Sequence, residues 1–202
     1  MAETYKRDPF DFSETPSRID LQLGKVANAP LPALLKDWTD TWQSLLTEGE
    51  TIPAKADLKM SRLSGLLPHV VIFEKSAPGT YTVRLAGTEV ETWLGVKLTG
   101  IDPLALVPDY QRKRVAAVYD NVTDQPCGFY ISEALMFSRG KQAQATTLKL
   151  PLLDSKGEPR FFVAIYHFAE GEYLEIDGIP SAAEHRKIER LGYIDIGFGL
   201  PS

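Results

Sequence analysis

The chain of 202 residues contains a single cysteine, Cys127, and three histidines, and it has no long apolar run. One cysteine excludes an intrachain disulfide and leaves a cysteine metal cluster without enough ligands. A membrane-spanning helix needs about 20 consecutive apolar residues, so the sequence predicts no membrane span. The first ten residues lack the apolar segment of a secretory signal peptide. These absences together favour a cytoplasmic protein.

Positive charge is also scarce. Lysine and arginine total 22 against 27 aspartate and glutamate residues, which gives a net charge of −5, and no basic run is longer than three residues. Proteins that bind nucleic acid concentrate positive charge against the phosphates, so we expect no nucleic-acid partner. The hydrophobic fraction of 44% is typical of a globular protein. A chain of this length forms one domain with extensions, or at most two small domains.

Catalytic motifs are missing as well. The sequence has no Gly-x-Ser-x-Gly nucleophile turn, no phosphate-binding loop and no dinucleotide-binding fingerprint. His69, His167 and His185 share no metal-ligand spacing, so we predict no metal site. Cys127 precedes a predicted strand, where no helix N-terminus lowers the pKa of its thiol, and we expect it to be inert. The sequence therefore predicts a protein that is not an enzyme.

The strongest helical pattern lies at residues 31–47. Its apolar side chains recur at the spacing of one helix face, and they are Leu31, Leu34, Leu35, Trp38, Trp42, Leu45 and Leu46. An amphipathic helix outside the core of a domain needs an apolar cover. We therefore predict a dimer or partner surface formed by Leu31, Leu35, Trp38, Trp42 and Leu45.

Alternating apolar and polar residues predict five strands. They cover residues 68–75, 80–85, 129–138, 144–153 and 160–168, and short helices are predicted at 88–94 and 109–122. Turn residues join the first two strands and the last two, and strands and helices do not alternate regularly. This order indicates an antiparallel sheet in an α+β domain.

The predicted organisation has three parts. Residues 1–30 form an N-terminal arm that is mobile unless it docks, and residues 31–168 form the domain. Residues 169–202 form a C-terminal extension with a short helix, which Ser181 and Glu184 open as a capping box and Gly192 ends. On this helix His185 and Glu189 would form a structural pair.

A small sheet with helices across one face leaves a cavity in which a small ligand can bind. The aromatic and polar residues predicted to line it are Tyr81, Arg84, Trp93, Tyr130 and Tyr166. The alternative is that these side chains fill the core or lie on the surface, and for Arg84 a surface position is the default.

Several short motifs in this order resemble the PAS family, in particular small stand-alone bacterial PAS proteins. These motifs are Trp38 with Trp42, Ile52-Pro53, Asp57-Leu58, Leu66-Leu67-Pro68, Arg84-Leu85-Ala86-Gly87-Thr88, Gly95, Leu98-Thr99-Gly100, Pro151-Leu152, Asp154 and Gly157. The resemblance covers roughly residues 34–168. It implies a PAS fold, with a five-stranded antiparallel sheet, short helices on one face and an N-terminal amphipathic helix.

The resemblance also implies a sensory or regulatory module that forms a homodimer or binds a regulatory protein, and that is tuned by a small ligand in some members. It does not identify a ligand. The Asn-Cys-Arg-Phe-Leu-Gln loop of flavin-binding members is absent, and the helix at 109–122 has no histidine to ligate haem. Flavin and haem are therefore both disfavoured.

Two other functions remain open from the sequence. A small enzyme on the same scaffold would bring His167 and Asp102 together in a buried polar pocket, with one of them as general base. A structural adaptor without a ligand would have a collapsed core and no cavity large enough for a metabolite.

Overall fold

The computed structural model describes residues 18–136, 142–170 and 186–201. The helices are α1 (Arg18–Ala27), α2 (Ala33–Gln43), α3 (Thr88–Leu94) and α4 (Asp109–Asp124), and short 3-10 turns cover Lys55–Asp57, Met60–Leu63, Leu67–His69 and Pro103–Leu106. The strands are β1 (Val70–Ala77), β2 (Thr80–Ala86), β3 (Gly128–Met136), β4 (Gln142–Leu153), β5 (Pro159–Glu170) and β6 (Arg186–Ile194).

All six strands form one antiparallel sheet in the order β2-β1-β5-β4-β3-β6. The predicted α+β class and antiparallel sheet are thus confirmed. The β1–β2 hairpin turns at Gly79, whose φ of 68° lies in the region that glycine adopts without steric cost. Helix α3 ends at Gly95, which has the same φ.

Each face of the sheet carries its own apolar core. One core lies under α1 and α2 and includes Leu23, Trp38 and Ile165, all fully buried. The other lies under α3 and α4 and includes Phe73, Tyr119 and Phe162. Strand β5 is apolar on both faces because it is near the middle of the sheet and is covered from both sides.

The sheet has six strands where the sequence predicted five. The sixth, β6, covers residues 186–194, where the sequence predicted a short helix ending at Gly192. It pairs with the edge of β3 from Gly128↔Ile194 to Leu135↔Arg186, and Ile194 is fully buried. The gain from pairing this edge outweighs a weak helical pattern. Residues 181–185, with the capping box and His185, lie outside the described residues.

Part of the predicted N-terminal arm is a helix. Ile19, Leu23 and Ala27 are four residues apart, so they share one face of α1, and all three are buried. This face packs against β6 and β3. Gly192 allows the close approach, because a Cβ at this position would lie 2.8 Å from Cγ1 of Val26. The boundaries of the arm, the domain and the extension stay predictions.

Helix α2 is shorter than the predicted helix at 31–47, and its tryptophans lie beneath the protein's own sheet. Leu35, Trp38, Trp42 and Leu45 are buried, and Nε1 of Trp42 donates a hydrogen bond of 2.9 Å to the carbonyl oxygen of Pro151 in β4. The cover that this face needs is thus intramolecular. Since these side chains already pack on β4 and β5, they do not form the partner surface that the sequence predicted; Leu31 is partly buried against the same core.

No helix within the described ranges is long and apolar enough to cross a membrane.

Candidate functional site

A cavity of about 630 Å³ lies between the second face of the sheet and the segments that cross it. Strands β3, β4 and β5 form its floor, with contributions from β1, β2 and β6. Its roof comes from α4, the end of α3 and the 3-10 turn at Pro103–Leu106. Small-molecule sites in proteins have volumes of roughly 300–1,000 Å³ and are mostly apolar. The volume therefore argues against the collapsed core expected for a structural adaptor.

Strand alternation decides which side chains form the floor. Residues two apart on one strand share a face, so Phe129, Ile131, Glu133 and Leu135 of β3 all line the cavity. The register then places neighbours in rows across the sheet: Phe129 pairs with Lys149, Ile131 with Thr147 and Glu133 with Ala145. Tyr166 pairs with Thr147 from the other side, so these rows continue into β5.

Three polar side chains interrupt this apolar floor. Glu133, Thr147 and Lys149 line the cavity and are only 3%, 1% and 5% exposed. Nζ of Lys149 lies 5.3 Å from the ring centre of Phe129 and 5.9 Å from that of Tyr119 on α4. At these distances the electron-rich ring faces attract the ammonium group. A buried carboxylate and a buried ammonium provide hydrogen-bonding groups at two places on an apolar surface.

The mouth of the cavity is apolar and exposed. Large hydrophobic side chains that line the cavity and are at least one-third exposed are Leu94, Val96, Leu106, Tyr110, Ile188 and Leu191. They come from α3 and its following loop, the 3-10 turn, α4 and β6. Exposed apolar groups that adjoin a cavity commonly mark a binding site.

The C-terminal half of α4 is fixed to the sheet on both sides. Nζ of Lys75 in β1 lies 2.7 Å from Oδ1 of Asp120 and 2.6 Å from Oδ1 of Asp124. On the other side, Nδ2 of Asn121 donates a hydrogen bond of 2.8 Å to the hydroxyl of Tyr193 in β6. The N-terminal half of α4 is more exposed, and Val115 there is partly buried over the cavity, as is Val118 just after the middle of the helix.

The contacts around Lys75 and Asp120 shift the pKa values of two groups. Burial raises the pKa of Asp120, but hydrogen bonds from Lys75, Tyr81 and the amide of Gly79 outweigh that effect, and the pKa is lowered overall. Burial raises the pKa of the Tyr81 hydroxyl, and its 2.5 Å hydrogen bond to Asp120 raises it further. Tyr81 therefore stays protonated and Asp120 stays charged at neutral pH.

The predicted pocket residues occupy different places. Tyr166 lines the cavity, and Trp93 stacks on the cavity-lining Phe168 with ring centres 5.2 Å apart. Tyr81 belongs to the aromatic cluster beneath α4. Tyr130 belongs to the core on the opposite face of the sheet, and Arg84 pairs at the surface with Glu74 at 3.2 Å.

Sequence reasoning missed Glu133, Thr147 and Lys149. Each occupies an inward position of a strand whose neighbours two residues away face the same core. A charged residue at such a position is unusual, since buried charges are costly unless they have partners. This departure from the alternation was the available signal.

The enzyme alternative required His167 and Asp102 to meet in a buried polar pocket. Neither lines the cavity. Asp102 caps the 3-10 turn, where its Oδ1 accepts a hydrogen bond of 2.9 Å from the amide of Leu104. His167 points away from the face of Tyr166 and Phe168, and burial, followed by the charge of nearby His69, lowers its pKa.

Cys127 is fully buried, and burial raises the pKa of its thiol to about 12. Sγ lies 3.5 Å from the carbonyl oxygen of Asn121. A thiol with so high a pKa supplies almost no thiolate at neutral pH. Within the described ranges, no group of three or more potential ligands could hold a metal ion.

Several solved structures are similar to part of this chain. The light-state Aureochrome1 LOV photoreceptor has 18% identity and a TM-score of 0.40, covering 55% of this chain and 88% of its own. A PAS domain from Colwellia psychrerythraea has 9% identity and a TM-score of 0.38, covering 55% and 97%. An RNA-binding light-oxygen-voltage receptor has 13% identity and a TM-score of 0.43, covering 70% and 37%. No curated protein matches the sequence significantly.

The sequence itself matches a protein family over most of its length. The family is described as "PAS domain", and the match covers residues 31–167. This range contains α2, β1 to β4, the whole roof of the cavity and all but the last residues of β5. The chain therefore belongs to the PAS domain family.

Proposed function

We propose that this protein is a non-catalytic sensory or regulatory module that binds a small ligand in the cavity and signals through protein contacts. Membership of the PAS family supports a sensory module. The single observation that carries the ligand part is the cavity of about 630 Å³ with an apolar, exposed mouth. A mostly apolar cavity with a few buried polar groups is typical of small-molecule sites.

Helix α4 is the element through which a ligand would act. Its C-terminal half is tied to β1 by Lys75 and to β6 by Tyr193, whereas its N-terminal half covers the cavity through Val115, and Val118 follows one turn later. A bound ligand would contact these valines and favour one position of the N-terminal half over others. A ligand shifts an equilibrium only by its difference in affinity for the two states, so these contacts are where that difference arises.

The partner in this proposal is a second copy of the chain or a regulatory protein, and the location is the bacterial cytoplasm. Because the tryptophans of α2 are buried in the protein's own core, the partner surface lies elsewhere on the molecule. The exposed Ile188 and Leu191 on the edge strand β6 are candidates, since they border the cavity and would report its occupancy.

A substitution that fills the cavity tests the ligand site. Val115→Trp adds an indole over the cavity, and Ala117→Trp adds the same group on the exposed side of α4. Binding of the neutral dye Nile red, measured by fluorescence, should be lost in Val115→Trp and kept in Ala117→Trp. Native mass spectrometry of the same proteins reports oligomeric state and any co-purifying molecule. Equal dye binding by both variants would contradict a ligand site in this cavity.

A further inference from the structure

The chemistry of the floor restricts the ligand class, and this inference rests on the proposed function. Lys149 lies in the row formed by Ala164, Lys149 and Phe129, beneath Tyr119 of α4. Tyr119 is 7% exposed and belongs to the half of α4 that is fixed to the sheet. The ammonium group is thus at the closed end of the cavity, away from its exposed mouth.

An ammonium in an apolar, buried setting is a strong recognition element for an anion. Hydrogen bonds between charged groups are shorter and about twice as strong as neutral ones, and the low local polarity strengthens them further. Lys149 already has contacts inside the protein, including the two aromatic rings. An acid group of a ligand would add to these contacts.

The path from Lys149 to the mouth is suited to an apolar body. The next row consists of Tyr166, Thr147, Ile131 and Leu191, and the row after it pairs Glu133 with Ile188. Ile188 and Leu191 are each about half exposed. An alkyl or aryl group along this path would cover the exposed hydrophobic side chains. Each buried methylene group contributes about 0.8 kcal/mol.

Glu133, which like Lys149 has contacts inside the protein, would disfavour a second acid group. It follows Phe129 by four residues on β3, so its row is about 13 Å from that of Lys149 at roughly 3.3 Å per residue. A dicarboxylate that reached from Lys149 toward the mouth would bring its second charge near the buried Glu133. Like charges repel strongly where water is excluded.

We propose that the ligand is an amphiphile with one acid group, bound with that group inside at Lys149 and with its apolar body extending to the mouth past Glu133. The residues that would contact this ligand come from β3, β4, β5, β6 and α4.

Four probes with the same carbon chain test this inference by calorimetric titration: octanoate, octanol, octylamine and the dicarboxylate suberate. The protein is first freed of any co-purifying molecule. Octanoate should bind most tightly at pH 7, and Lys149→Met should weaken its binding about tenfold or more, with little effect on octanol. Lys149→Arg keeps the charge and should retain the preference for octanoate. Lys113→Met, at an exposed position of α4, is the matched control and should change nothing.

A melting curve for each variant establishes that it is folded. Equal binding of octanoate and octanol, with no effect of Lys149→Met, would overturn the acid-group inference and leave the ligand site intact if Nile red still binds. Tighter binding of suberate than of octanoate would overturn the role of Glu133. If neither the probes nor Nile red binds, both the inference and the proposed ligand site fail.

Discussion

Lys75 and Asp120 connect the first strand of the sheet to the helix that roofs the cavity, with 2.7 Å between Nζ and Oδ1. The lysine side chain is 10% exposed and the aspartate side chain 25%. Tyr81 and the amide of Gly79 donate hydrogen bonds to the same carboxylate oxygen. The position of α4 over the cavity therefore depends on a charged cluster at the far end of the helix.

Removing Lys75 should release this end of α4. Lys75→Met leaves Asp120 and Asp124 without their shared cation, and breaking a mostly buried ion pair from one side costs about 3–5 kcal/mol. Because Asp120 is partly solvated, we expect a loss of roughly 1–3 kcal/mol in the free energy of unfolding. Urea denaturation measures this loss. Lys36→Met breaks the exposed Lys36–Asp40 pair and should cost less than about 1 kcal/mol; similar losses in both variants would contradict a special role for Lys75.

The same cluster predicts that the stability of the protein depends on pH. The pKa of Asp120 is lower in the folded protein than its ordinary value, so the unfolded chain binds the proton more tightly. This contribution to stability is present above the ordinary aspartate pKa of about 3.9 and is lost as pH falls through the lower folded value. Asp120→Asn should therefore be less stable than the wild type at pH 7, and the difference should shrink toward pH 3. Urea titrations at several pH values measure the difference, and a constant gap over that range would be inconsistent with this assignment.

The docking of α1 on β6 should be sensitive to one methyl group. Gly192→Ala places a Cβ 2.8 Å from Cγ1 of Val26, which is closer than such contacts allow. We expect a loss of about 1–3 kcal/mol from overpacking. Adding Val26→Ala removes the clash and should recover part of that loss, which thermal denaturation of the single and double variants can measure. If the single variant melts like the wild type, α1 does not pack here.

We expect Trp42 to contribute to the stability of the monomer and not to its association with a partner. Trp42→Phe removes the donor to the Pro151 carbonyl and leaves that oxygen buried without it. The expected loss is about 1–3 kcal/mol, with no change in oligomeric state. Trp93→Phe is the matched control, because Nε1 of Trp93 donates at 2.9 Å to the partly buried Glu89 and its loss should cost less. Sedimentation measures the oligomeric state, and urea denaturation measures the free energy of unfolding. A dimer that dissociates in Trp42→Phe would instead support the partner surface predicted from the sequence.

Much of the fold could be predicted from local patterns. Alternation located β1 to β5, and turn residues such as Gly79 and Gly95 marked where elements end. The order of elements and the motifs between residues 34 and 168 led to the PAS family, which the match over 31–167 confirms. These features depend on residues close together in sequence, where backbone geometry limits the choices.

The candidate site was harder to predict. Of the five proposed pocket residues, Tyr166 lines the cavity, while Tyr130 faces the opposite core because the strand alternation puts it there. Lys149 and Glu133 were overlooked because a charged residue in a strand normally indicates the solvent face. Their burial depends on α4, which crosses the sheet above them.

The sequence alone determined the fold class, the family, five of the strands and the lack of common catalytic motifs, because each follows from composition or from short-range periodicity. Only the tertiary structure decided that residues 186–194 pair with β3, that α1 packs against β6 and that the tryptophans of α2 are covered by the protein's own sheet. It also decided which polar side chains the cavity encloses. These outcomes depend on contacts between segments distant in the chain, whose free energies override local preference.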